Sequence, residues 1–68
     1  MRNRIRESRT TRGLSQAELA HAIGVSRQTV ISLEAGRYSP SLPLAFRIAR
    51  FFDSTVDALF DPTPEVHQ

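Results

Sequence analysis

The sequence contains no cysteine, which excludes both a disulfide framework and a thiolate metal site. Its two histidines, His21 and His67, lie far apart and have no carboxylate at ligand spacing, so no metal centre is expected. No long apolar run occurs, and the start MRNRIRES lacks an apolar core. A signal peptide or membrane span is therefore not expected, and the cytoplasm is the expected location. No nucleophile, base and orienting group occur together, and no glycine-rich phosphate loop is present, so an enzyme and a bound cofactor are not expected. A chain of 68 residues has room for one small domain and for no separate effector domain. Such a domain buries roughly 60% of its unfolded surface, so its stability is marginal unless it dimerises. Repeats, low-complexity segments and inter-domain linkers are absent.

What is present is charge of uneven placement. Residues 1–50 hold nine arginines against three glutamates, a net +6, whereas residues 51–68 hold four acids and no base, a net −4. A basic body suits a polyanion partner, although solvated arginines on helix faces would give the same count.

Glycines and capping residues divide the chain into five helices. The first runs from about Arg2 to Arg12 and stops at Gly13. The second opens at Ser15, where Ser-Gln-Ala-Glu is a capping box flanked by Leu14 and Leu19 as a staple, and ends at Gly24. Ser26 caps the third, which Gly36 closes. Ser41 caps the fourth, with Pro43 tolerated in its first turn and a stripe of Leu44, Ala45, Ile48, Ala49 and Phe52. Thr55 caps a last short helix through Phe60. The domain spans 3–61, and the tail 62–68, rich in proline, is expected to be disordered.

Residues 16–35, QAELAHAIGVSRQTVISLEA, carry the functional signal. Ala20 permits a close helix crossing, Gly24 can take the positive φ of a tight turn, and Leu19, Ile23, Val25, Val30 and Leu33 fill the space between the helices. This is the pattern of a helix-turn-helix, whose second helix enters the major groove of double-stranded DNA. At 100° per residue, Val30 and Leu33 share one face, and Arg27, Gln28, Ile31 and Ser32 share the other. The second group suits base edges: arginine pairs with guanine, glutamine with adenine, and isoleucine meets a thymine methyl. Gln16, at the start of the second helix, and Ser26, Arg37 and Tyr38, at the ends of the third, are the expected phosphate contacts. Tyr38 could instead pack on the fourth helix. Arg2, Arg4 and Arg6 either add non-specific attraction or form a solvated face. Arg9 and Glu34 are placed to pair and to lock the first helix against the third.

The stretch GLSQAELAHAIGVSRQTVISLEAGRYSPSLPLAFRIARFF resembles the Cro/repressor-type (XRE) helix-turn-helix transcriptional regulators, through VSRQT, E-A-G-R-Y-S-P-S and the following L-P-L-A-F-R-I-A. The resemblance implies an all-α, compact five-helix, lambda-repressor-like domain that binds operator DNA as a two-fold symmetric dimer. It also implies that Gln16 holds a phosphate, that Arg27, Gln28 and Ser32 face bases, that Arg37 touches the backbone and that Arg9–Glu34 is a buried pair. Three positions depart from the family pattern: Ser8 replaces a leucine, Asp53 replaces a glycine after the fourth helix, and Ile31 replaces a polar residue.

Phe46, Phe51, Leu59 and Phe60 cannot all face inward by helical spacing. Phe51, Leu59 and Phe60 are therefore the expected surface of a homodimer that repeats the recognition helix along a near-palindromic operator. The alternative for the phenylalanines is a compact monomer core. The alternative for function is an antitoxin or other interaction module that docks a protein through its C-terminal helices.

Overall fold

The computed structural model describes residues 2–61. The order is β1 (Arg2–Asn3), α1 (Ile5–Thr11), α2 (Gln16–Ile23), α3 (Arg27–Glu34), α4 (Leu42–Phe51), α5 (Val56–Leu59) and β2 (Phe60–Asp61). The expected five helices are present. The expected tail, 62–68, lies outside the described residues.

Helix starts follow the capping chemistry read from the sequence. Ser15 Oγ accepts from the Glu18 amide at 3.0 Å, and Glu18 Oε1 accepts from the Ser15 amide at 2.8 Å, which completes the capping box. The hydroxyls of Ser26, Ser41 and Thr55 each accept one amide N–H in the first turn of α3, α4 and α5. Gly24 ends α2 at φ +75°, a left-handed conformation that an L side chain resists, and so turns the chain directly into α3. Asp53 takes the same region at φ +52° without being glycine.

Ile5, Leu19, Ile23, Val30, Leu33 and Ile48 have almost no exposed side-chain surface and form the centre of the core. Fully burying each such side chain stabilises the fold by about 1.5–3 kcal/mol before entropy is counted. Ala20, the small residue expected to allow a close helix crossing, is buried in the core at 4% exposure. α1 contributes little to the core, because Ile5 is its single buried residue. Ser8 stands half-buried beside a surface crevice that Arg12 and Phe52 also line, where a leucine would have filled space.

Two sequence expectations are corrected at the ends of the domain. The first helix begins at Ile5, not Arg2, because Arg2 and Asn3 pair antiparallel with Asp61 and Phe60. The last helix stops at Leu59, and Phe60 is extended, at φ −118° and ψ 130°. That extension removes the helical-spacing argument: Leu59 is 3% and Phe60 5% exposed, both inside the core of a single chain. Neither is available to a dimer surface in this conformation. Phe51, the third residue expected there, is half-buried against the core, with the Arg12 guanidinium 5.6 Å above its ring. Among the described residues, the large apolar side chains left exposed are Leu42 and Phe46, both on α4, and Tyr38.

Candidate nucleic-acid interface

α3 is divided as its sequence requires. Val30 and Leu33 are buried, Arg27 and Gln28 are exposed, and Ile31 and Ser32 lie half-buried at the margin. Among the described residues, the side chains of Arg27, Gln28 and Ser32 have no hydrogen-bond partner. Their polar groups are thus free for an external partner, and no acidic residue stands in the first turn of α3 to repel an anion.

The last residue of α3 anchors it from three sides. Glu34 Oε2 accepts from Arg9 Nε at 2.6 Å, and Oε1 accepts from Arg9 Nη2 at 3.2 Å and from Gln16 Nε2 at 3.1 Å. Arg6 Nε reaches Oε1 at 3.5 Å from a largely exposed side chain. Arg9 Nη1 also donates to the Leu14 carbonyl at 2.8 Å, so one guanidinium joins α1, the α1–α2 turn and α3. The Glu34 side chain has no exposed surface, and that of Arg9 is 12% exposed. Burial pushes the Glu34 pKa up, but hydrogen bonds from Arg9, Gln16 and Arg6 and the Arg9 charge outweigh it and hold the carboxyl below its ordinary value. The hydrogen bond to Glu34 raises the Arg9 pKa despite burial.

The expected phosphate contacts fall into two groups. Arg37 and Tyr38 are exposed just beyond α3, Tyr38 being 41% exposed rather than packed away. Gln16 and Ser26 are already partly engaged. Gln16 uses one amide N–H on Glu34 and keeps a second. Ser26 Oγ accepts from the Thr29 amide at 3.1 Å and lies 2.9 Å from the Thr29 hydroxyl.

Other anchors carried no signal in the sequence pattern. Asn3 Nδ2 donates to the Leu33 carbonyl at 2.6 Å, and its Oδ1 accepts from the Ile5 amide at 3.1 Å. Arg47 Nη1 donates to the Ile23 carbonyl at 3.0 Å, capping the C-terminus of α2 beside the Gly24 turn. Arg12 Nη1 donates to the Phe51 carbonyl at 3.0 Å, doing the same for α4. Arg9, Arg12 and Arg47 therefore hold the bundle together through short, directed bonds, rather than serving as a free cationic field.

The helix-turn-helix family profile matches residues 5–59. An uncharacterised HTH-type transcriptional regulator of Archaeoglobus fulgidus is 52% identical over 60 residues, covering 88% of this chain and 86% of its own length. Another, from Methanothermobacter thermautotrophicus, is 66% identical over 50 residues, covering 74% of this chain and 72% of its own. Among solved structures, the restriction-modification controller protein C.AhdI of Aeromonas hydrophila superposes with a TM-score of 0.75 at 38% identity, covering 84% of this chain and 86% of that one. The profile spans nearly the whole described domain and includes both helices of the turn. The chain belongs to the Cro/repressor-type (XRE) helix-turn-helix family of DNA-binding transcription regulators.

Proposed function

We propose that the protein represses transcription as a homodimer bound to a near-palindromic operator. In this reading Arg27, Gln28, Ile31 and Ser32 contact base edges. Arg37 and Tyr38 grip phosphates beside the groove, while the second N–H of Gln16 and the hydroxyl of Ser26 hold phosphate at the helix N-termini. The protein acts by binding and not by catalysis, and it works in the cytoplasm.

The observation that carries the reading is the state of α3: its inner face is packed and its C-terminus is held by Glu34, while the outer polar side chains have no partner among the described residues. A helix fixed so firmly with so little bound on its outer face is suited to reading a rigid partner. Selection of bound sites from random duplexes tests it. The expected result is a half-site repeated with two-fold symmetry, its centres about one DNA turn, roughly 34 Å, apart. Recovery of no preferred sequence would refute the base-contact assignment, and a single unrepeated half-site would refute the homodimer.

A further inference from the structure

Leu42 and Phe46 are 62% and 51% exposed, yet they lie one turn apart on the same side of α4. Phe46 stands at the edge of an open groove of about 330 Å³ between the C-terminal half of α4 and the start of α5. Buried Ala49 and half-buried Val56 give this groove an apolar floor, and exposed Arg50 and Asp53 give it a charged rim. The side chains of Arg50 and Asp53 make no hydrogen bond or ion pair to another described residue.

We propose that this groove seats a second copy of the chain, with Phe46 of each copy entering the groove of the other. The inference rests on the homodimer reading above and supplies the face that reading needs, in place of Leu59 and Phe60. An aromatic knob beside an apolar hole of the same face is a self-complementary surface, as a two-fold contact requires. The rim carries one cation and one anion, so a two-fold axis passing between them sets Arg50 of each copy against Asp53 of the other, and the attraction is made twice. A polyanion would meet Asp53 with repulsion, and a partner of one charge sign would be opposed by one rim residue. A second copy satisfies both. Leu42, one turn away, extends the apolar patch along α4 toward the size that a stable contact needs, roughly 800 Å² per partner.

Sedimentation equilibrium of the full chain and its variants tests this. The expected result is a dimer that Phe46→Glu weakens at least about tenfold, as loss of a central aromatic anchor does, while helicity and melting of the protomer are retained because Phe46 lies outside the core. Arg50→Glu is expected to weaken the dimer as well, and Asp53→Asn in that background to restore part of the loss. The chain has no cysteine, so Phe46→Cys introduces a single thiol. A short bismaleimide should link two such copies, and should fail to link Ala22→Cys on exposed α2. A wild-type dimer that Phe46→Glu leaves intact would overturn this face and leave the homodimer standing. A wild-type chain that stays monomeric at every concentration would overturn both.

Discussion

Asn3 and Leu33, thirty residues apart, are joined by a 2.6 Å hydrogen bond from the asparagine amide to a carbonyl near the end of α3. The same side chain accepts from Ile5, so one residue starts α1 and tethers α3. Asn3→Ala is expected to cost about 1–2 kcal/mol. Asn3→Asp is the sharper probe. It keeps an acceptor for the Ile5 amide, but it sets a carboxylate oxygen against the Leu33 carbonyl. Urea denaturation should show a loss at least as large as that of the alanine variant. Wild-type stability in Asn3→Asp would show that the bond to Leu33 contributes nothing.

The Arg9–Glu34 pair should dominate the response to acid. Glu34 has its folded pKa depressed, so its contribution is fully present above the ordinary carboxylate value near 4.5 and is lost as pH falls through the lower folded value. Glu18 adds to the same slope, because hydrogen bonds from the Ser15 backbone and side chain depress its pKa too. Thermal melts across this acid range should therefore show a stability loss that is smaller, but not absent, in Glu34→Gln. Arg9→Met strands a carboxylate with no exposed side-chain surface. Breaking a buried pair in this way costs about 3–5 kcal/mol, comparable with the roughly 3–9 kcal/mol that holds a domain of this size. The variant is expected to be largely unfolded at 37 °C by circular dichroism.

These two anchors differ in how readable they were. Arg9 and Glu34 are oppositely charged, and Glu34 lies at the inner edge of a helix with a clear apolar face, so a pairing could be expected. Asn3 lies in a two-residue strand, too short for any alternation, paired with residues at the other end of the domain. The same pairing explains the error at Leu59 and Phe60. Helical spacing forbids adjacent residues from sharing the inward direction fully, but Phe60 has left the helix, and both enter the core. Capping residues, the Gly24 turn and the inward face of α3 were legible because each is a local signal with one physical meaning. The inward donation by Gln16 was not legible, since an amide at a helix start serves a neighbour or a phosphate equally well.

Within the protomer, Asp53 strains the backbone that ends α4, whatever its charge contributes to a dimer. It closes α4 in the left-handed region, at φ +52°, donating its amide to the Arg50 carbonyl at 3.1 Å while Ser54 donates to Ala49 at 2.8 Å. This is the six-to-one and five-to-two pattern that glycine ordinarily completes. An L residue there costs about 1–2 kcal/mol, and a negative charge beside a helix C-terminus is unfavourable as well. Glycine loses part of that gain to its greater unfolded-state entropy. The net expectation for Asp53→Gly is a stabilisation of about 0.5–1 kcal/mol, by the same principles, read as a higher urea midpoint with an unchanged slope. An unchanged or lowered midpoint would show that the aspartate is not strained.

In the proposed function, Gln28 and Arg37 separate base reading from backbone grip. Both are exposed and neither side chain has a partner among the described residues, but Gln28 lies in the first turn of α3 and Arg37 just beyond its end. A glutamine in a groove discriminates through paired hydrogen bonds to one base, so Gln28→Ala should cost about 1–3 kcal/mol on the preferred duplex and little on a scrambled one. An arginine on phosphate releases counterions whatever the sequence. Arg37→Ala should therefore weaken both duplexes alike and reduce the slope of log affinity against log salt by about one. Fluorescence-anisotropy titrations of both duplexes at several salt concentrations resolve the two effects. If Gln28→Ala weakened both duplexes equally, or Arg37→Ala left the salt slope unchanged, the residue concerned would have been placed on the wrong part of the DNA.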